Sequence, residues 1–372
     1  GLGAGLALLL FLISALNRAS GSWARLLVAA AILAVLLNPA VQVEERQLLK
    51  DIAVVVVWLL LTFAAGLWAG RSRASDTSGF FVAGRSLPWW AVGISTMATQ
   101  TSVISFMSIP AFVAIKEGGG LTWLQYELAV PLAMIAVMVV LLPFFRKLEL
   151  ISIYEYLEMR FSPEVRKFIS LVFLISRGFG TGIGVFATAK ILQVCTGMQL
   201  EYIILFVGVI TIIYDSLGGM AAVVWSDVVQ MGILLGGILL CIFYAADLGG
   251  GFGTTFETFP DARWEALDMN MGFAGENDSF WAFLIGGFFL YASYYGCDQS
   301  QVQRELTVGS VDNVKKSLLI NALGRFPLVL LYCLMGVFIG AVVALPDFLE
   351  RSATVMNSSS ALVAAALERD PD

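Results

Sequence analysis

The chain has 372 residues, of which 59% are hydrophobic and 13% charged, with a net charge of −6. A soluble domain is about one-quarter charged, so roughly half the usual water-facing chemistry is present and the ordinary soluble class is excluded. There is no histidine, which excludes histidine zinc sites, Ser-His-Asp triads and histidine proton relays.

A bilayer core about 30 Å thick needs about 20 apolar residues per spanning helix. The stretches 51–70, 121–144, 168–193, 200–215, 220–245, 281–297 and 317–345 are long enough, or nearly so. The short alternating segments of an outer-membrane barrel are absent. The predicted class is an all-α polytopic membrane protein. Cys195, Cys241, Cys297 and Cys333 fall in or beside apolar stretches. They read as small hydrophobes rather than a disulfide framework or metal cluster.

In chain order, residues 1–50 hold two short apolar stretches, 4–16 and 26–37, followed by the charged VEERQLLKD. This part is predicted to be an atypical apolar hairpin. No basic stretch precedes its first apolar run, which argues against a signal peptide. The chain begins with Gly1 rather than Met and ends in a polar stretch, Glu368 to Asp372, and so reads as a fragment.

Residues 51–86 are predicted to be a leading span and a cytoplasmic loop. Alternating from there, the cytoplasmic loops carry Arg71, Arg73, Arg85, Arg146, Lys147, Arg160, Arg166, Lys167, Arg304, Lys315 and Lys316. The exterior loops carry only Lys116, Arg263, Arg351 and Arg369, so the positive-inside bias supports this orientation.

Residues 87–247 then hold five helices, and 280–346 hold two more. A Gly-rich, acidic exterior loop, 248–279, separates them. Residues 347–372 form a polar tail. Five is odd, so a sixth helix resembling the first crosses in the opposite direction, as in an inverted-repeat transporter. The first helix of this set carries Ser95-Thr96-Met97-Ala98-Thr99-Gln100-Thr101-Ser102 at membrane depth, and the sixth carries Tyr291-Ala292-Ser293-Tyr294-Tyr295-Gly296 and then Asp298-Gln299. Polar, interrupted helices at matching positions of two halves point to a substrate site. Carbonyls freed by an unwound turn are tolerated in a membrane where they line a cavity or hold an ion.

Four motifs carry a resemblance: SGFFVAGRSLPWWAVGIS (78–95), SIYEYLEMRFSPEVR (152–166), DSLGGMAAVVWSDVVQ (215–230) and YYGCDQSQVQREL (294–306). In this order they resemble the sodium:solute symporter family, over about residues 51–345. The wording is most similar to the multivitamin, monocarboxylate and iodide branch. The resemblance implies a leucine-transporter-type inverted-repeat fold, with an incomplete second repeat here. It also implies Na+ as coupling ion and a small polar or anionic organic solute, carried by alternating access through the cell membrane. The implied partners are that solute, sodium and the lipid bilayer, with no nucleic acid, and no enzymatic activity is implied. Oligomeric state is not legible.

By motif, the sodium ligands on the first helix are the backbone carbonyls of Ala98 and Thr101. The alternative is that hydroxyls such as that of Thr101 bond back to their own helix. Asp227, in WSDVVQ, matches an aspartate that belongs to a second sodium site in some members. Its alternative role is a buried partner for a basic or hydroxyl group. Glu127, in QYELAV, matches a glutamate that contacts substrate in sugar carriers, the alternative being an interfacial carboxylate. Tyr294 matches an inner-gate aromatic, with core packing as its alternative, and Gln100 and Ser105 are expected to point toward the cavity.

Arg177, Lys190 and Arg325 are further intramembrane charges to which no role is carried over. Gly178, Gly180, Gly182 and Gly184 are expected to mark close helix packing rather than a dinucleotide loop. Residues 347–372 do not resemble the eighth helix that completes the sodium site in the family, so the stretch alone is not expected to transport. A proton-coupled carrier of the same fold and a non-transporting membrane sensor are the alternative functions. An intramembrane enzyme lacks a motif here, since no HExxH, GxSxG or paired aspartate occurs.

Overall fold

The computed structural model describes residues 77–348, apart from 149, 151, 197–198, 272–278 and 346, together with Val57. The expected hairpin of residues 1–50, almost all of the 51–70 span and nearly all of the 347–372 tail lie outside the described residues. Every regular element among the described residues is helical. Among the described residues, five helices are long and apolar enough to span a membrane, or six if one bent pair counts as a single span.

Caps and breakers segment the chain. After a short helix α1 (Thr77–Val82), Pro88 caps α2 (Trp89–Thr99) and Ser102 caps α3 (Val103–Ala114). Helix α4 (Leu121–Phe145) contains a π-helical stretch, Val137–Leu141. The Ser152 side chain caps α5 (Ile153–Arg160) by accepting the Tyr154 N–H at 3.3 Å, and Pro163 opens the long α6 (Pro163–Thr196). Proline suits that first position because its missing N–H has no partner there anyway.

Helix α7 (Leu200–Leu248) is interrupted at Gly219, at φ 58° and ψ −164°, so the two expected spans 200–215 and 220–245 form its two arms. A side chain at Gly219 would also meet the Phe80 carbonyl at 2.7 Å. Both the conformation and the space require glycine. Helices α8 (Phe252–Thr258), α9 (Phe280–Cys297), α10 (Gln299–Glu305) and α11 (Val311–Val343) complete the order.

The central pillar is α11, whose most apolar window is 61% buried, whereas none of the corresponding window of α6 is. One apolar cluster packs α3, the second arm of α7 and α11 around Val113, Met231, Ile238, Val329 and Phe338. Another packs α2, α4, α9 and α11 around Val92, Met134, Tyr291, Tyr295 and Leu318. At the contact of α3 with α11, Gly336 lets the backbones close up. An added Cβ would lie 2.7 Å from Val113 Cβ and 2.8 Å from the Pro110 carbonyl.

The glycines of α6 differ from expectation. A Cβ added at Gly178, Gly180, Gly182 or Gly184 would meet no described atom within 4 Å beyond its own stretch of helix. Their spacing is suited to close packing, but no described helix makes that contact.

Candidate functional site

The site is built where two helices stop and restart. Helix α2 ends at Thr99, α3 begins at Val103, and the two meet at a 61° bend. The cause is local. Ser102 takes an extended conformation and its side chain accepts the Ser105 N–H at 3.3 Å, starting a new helix instead of extending the old one. Similarly, Asp298 breaks away after α9, and its carboxylate accepts the Ser300 N–H at 2.8 Å to open α10.

Between these breaks lies a cavity of about 820 Å³, whose wall includes Gln100, Arg177, Tyr294, Ser300, Arg304 and Arg325. Three guanidinium groups reach it, and no carboxylate is among its described lining residues. A charge in a low-dielectric interior requires a partner, and each arginine has one. Arg177 of α6 meets Asp298 at 3.0 Å, also donates to the Ser300 hydroxyl, and lies 5.6 Å from the Tyr294 ring centroid. Arg304 of α10 meets Asp227 of α7 at 3.1 Å. Its Nε donates to Ser95 Oγ at 2.9 Å, and that hydroxyl donates to Asp227 at 2.5 Å. Arg325 of α11 meets Glu127 of α4 at 2.9 Å, and the Tyr291 hydroxyl donates to the same carboxylate at 3.4 Å.

Of the residues singled out from sequence, Gln100 and Tyr294 line the cavity, and Gln100 accepts from the Tyr295 hydroxyl at 2.6 Å. Ser105 is not in its wall; it sits on the first turn of α3, where its N–H serves the cap. Glu127 is 1% exposed and sits behind Arg325. Asp227 accepts from a basic group and a hydroxyl together, both on one oxygen.

The Thr101 N–H donates to the Ala98 carbonyl at 2.8 Å, and the Thr101 hydroxyl donates back to the Met97 carbonyl at 3.0 Å. Asp227 reaches α2 at Ser95, about one turn before Ala98. Lys190, by contrast, is an exposed side chain bonded to Gln193 at 3.2 Å. A further polar knot joins α2, α10 and α11: Glu305 accepts from Thr96 at 3.0 Å and from Ser317 at 3.3 Å.

Sequence gives Arg304 no role, because the positive-inside count assigns it to a loop. In the structure it is 8% exposed and reaches the cavity. The available signal was Asp227, a carboxylate in an apolar helix that needs a partner.

The family model for sodium:solute symporters matches residues 80–368. The chain belongs to that family. Among its relatives, the human sodium/iodide cotransporter is 34% identical over 295 residues, covering 78% of this chain and 45% of the relative. Human sodium-coupled monocarboxylate transporter 1 is 31% identical over 289 residues, covering 74% and 46%. The sodium/sialic acid symporter NanT of Aliivibrio fischeri is 32% identical over 261 residues, covering 70% and 51%. The chain therefore spans about half the length of these curated relatives. A solved substrate-bound, outward-open Na+-coupled sialic acid symporter superposes with a TM-score of 0.69 at 27% identity, over 79% of this chain and 61% of that one. The fold is accordingly the all-helical, leucine-transporter type, in a multi-pass membrane protein.

Proposed function

We propose that this chain carries the solute cavity of a sodium-coupled symporter of the cell membrane, moving a small organic anion by alternating access. The observation that carries the reading is the cavity wall, which presents three guanidiniums and no described carboxylate to its interior. Guanidinium donors match carboxylate geometry and stay charged at any physiological pH. The relatives' names agree in sign: iodide, monocarboxylates and sialic acid are all anions.

Sodium enters beside the break in α2. The Ala98 and Thr101 carbonyls flank the unwound turn and Asp227 lies about one turn away. A hard cation suits oxygen donors of this kind. Tyr294, with Arg177 against its ring, forms one side of the solute's chamber together with Gln100.

The test is solute uptake by the full-length protein in proteoliposomes, with and without an inward sodium gradient. A panel of small carboxylates, inorganic anions, sugars and amino acids covers the classes. Sodium-dependent uptake of an anion that is lost in Thr101→Ala or Asp227→Ala supports the reading. Uptake indifferent to sodium and driven by a pH gradient overturns it in favour of a proton-coupled carrier.

A further inference from the structure

The first turns of α11 carry charge that no described carboxylate answers. Lys315 and Lys316 are exposed there, and neither belongs to an ion pair among the described residues. Asp312, one turn earlier on the same helix, pairs with neither. The helix itself gains nothing from cations at this end, where its backbone dipole is already positive.

Aromatic rings gather at the same place. Lys316 Nζ lies 5.9 Å from the centroid of the ring of Trp89, the first residue of α2. Trp90 beside it is exposed and stands edge-on to Trp225 of α7 at 5.5 Å. Tryptophan and lysine suit the level where acyl chains give way to headgroups, because each has an apolar body and a polar tip.

Below the lysines the helix face is apolar. Lys316, Leu319 and Leu323 stand at i, i+3 and i+7, on one face. Leu319 and Leu323 are exposed, whereas Leu318, Ala322 and Arg325 on the opposite face are buried. Leu323 lies about 10 Å deeper than Lys316 along the axis. Helix α2 closes tightly alongside, since a Cβ added at Gly93 would lie 2.9 Å from the Ser317 carbonyl. The arrangement is a basic, aromatic mouth above an apolar strip.

We propose that this end of α11, with Trp89 and Trp90 of α2, binds an anionic phospholipid of the cytoplasmic leaflet. Its phosphate and acidic headgroup meet Lys315 and Lys316, and an acyl chain runs down Leu319 and Leu323. The positive-inside count puts these lysines at the cytoplasmic surface, where anionic lipids attract basic residues and basic pockets between helices hold acidic headgroups. A zwitterionic lipid fits less well, because its own cation is repelled by the lysines. The site is separate from the solute chamber, whose wall includes neither lysine and neither tryptophan.

The test titrates the purified full-length protein in mild detergent with dioleoyl-phosphatidylglycerol or dioleoyl-phosphatidylcholine and reads thermal melts. Phosphatidylglycerol is expected to raise the melting temperature more than phosphatidylcholine does. Lys315→Gln/Lys316→Gln should need about tenfold more phosphatidylglycerol for half the effect, while melting as the wild type does in phosphatidylcholine. Lys316→Arg in the wild-type background keeps a cation over the Trp89 ring and should keep the response. Arg160→Gln/Lys167→Gln removes the same charge from other exposed positions and should leave the response intact. Glycerol 1-phosphate and inorganic phosphate, which offer the anion without acyl chains, should give no shift.

A phosphatidylglycerol response that is equal in the wild type and the lysine double variant overturns the proposal. An equal loss in both double variants also overturns it, by reducing the effect to net charge. A wild type indifferent to the choice of lipid overturns it as well, and leaves this face to bulk lipid or to another part of the protein. Because melts alone decide the matter, sodium-independent uptake would overturn the symport reading without touching this one.

Discussion

Asp227 and Arg304, 77 residues apart in the chain, meet at 3.1 Å with Ser95 of α2 bonded to both. A single hydroxyl thus ties α7, α10 and α2 at one point beside the cavity. Removing one partner of a buried pair strands the other, at about 3–5 kcal/mol. Asp227→Asn is therefore expected to lower the melting temperature of the full-length protein and abolish uptake. Asp227→Asn/Arg304→Gln, with no stranded charge, should recover most of the melting temperature without recovering sodium dependence. Both are read by thermal melts in detergent and by proteoliposome uptake.

The contact of α3 with α11 tolerates nothing larger than hydrogen at Gly336, where a Cβ would lie 2.7 Å from Val113 Cβ. Gly336→Ala should destabilise by about 1–3 kcal/mol through overpacking. Gly232→Ala, on α7 with nothing described within 4 Å, is the matched control. It should be neutral or stabilising by up to about 1 kcal/mol, as expected for Gly to Ala in a helix. Parallel melts of the two variants decide this.

Arg263 reaches back from the loop after α8 and donates to the Val113 carbonyl at 3.0 Å and the Gly119 carbonyl at 3.4 Å. It satisfies one acceptor in the last turn of α3, which a helix terminus otherwise leaves open, and another in the loop that follows. Arg263→Ala should cost about 1–3 kcal/mol and speed proteolysis between residues 250 and 270. Limited digestion followed by mass spectrometry of the fragments reads this out.

Tyr154, on α5 outside the spanning helices, has its phenol pushed up to about 12, first by burial and then by the Asp298 charge, with Arg177 opposing. A folded value above the ordinary value of 10 keeps the phenol neutral where the unfolded chain has begun to ionise. That contribution to stability is complete below pH 10 and is lost as the pH rises through 12. Tyr154→Phe should therefore lose less stability than the wild type between those limits. Alkaline melts and absorbance titration at the tyrosinate band measure it.

Much of this site was legible because polar residues at membrane depth have few harmless explanations. The run Ser95 to Ser102 predicted a broken helix, and the structure breaks there between Thr99 and Val103. Glu127 and Asp227 stood out as carboxylates in apolar helices. Which groups they pair with did not, because pairing depends on the folded approach of Arg325, 198 residues from Glu127, and of Arg304, 77 from Asp227. Arg304 was hidden further by its neighbourhood. Charge counting treats every arginine in a short linker alike, whereas α10 folds this one back against α2 and α7. Ser105 is not among the residues that line the cavity, and its N–H is bonded to the Ser102 side chain.

The three ion pairs share one property. Each joins a residue before the loop at 248–279 to a residue after it: Glu127 to Arg325, Arg177 to Asp298, and Asp227 to Arg304. The two sets of helices are fastened across the chamber by charge as well as by apolar surface. Grease slides, but charge pairs do not: a guanidinium leaving one carboxylate in a dry interior must find another acceptor at once. Movement of one set against the other is therefore counted in exchanges of partner rather than ångströms of slip. An anion or a sodium ion arriving in the chamber is, in that count, a spare partner.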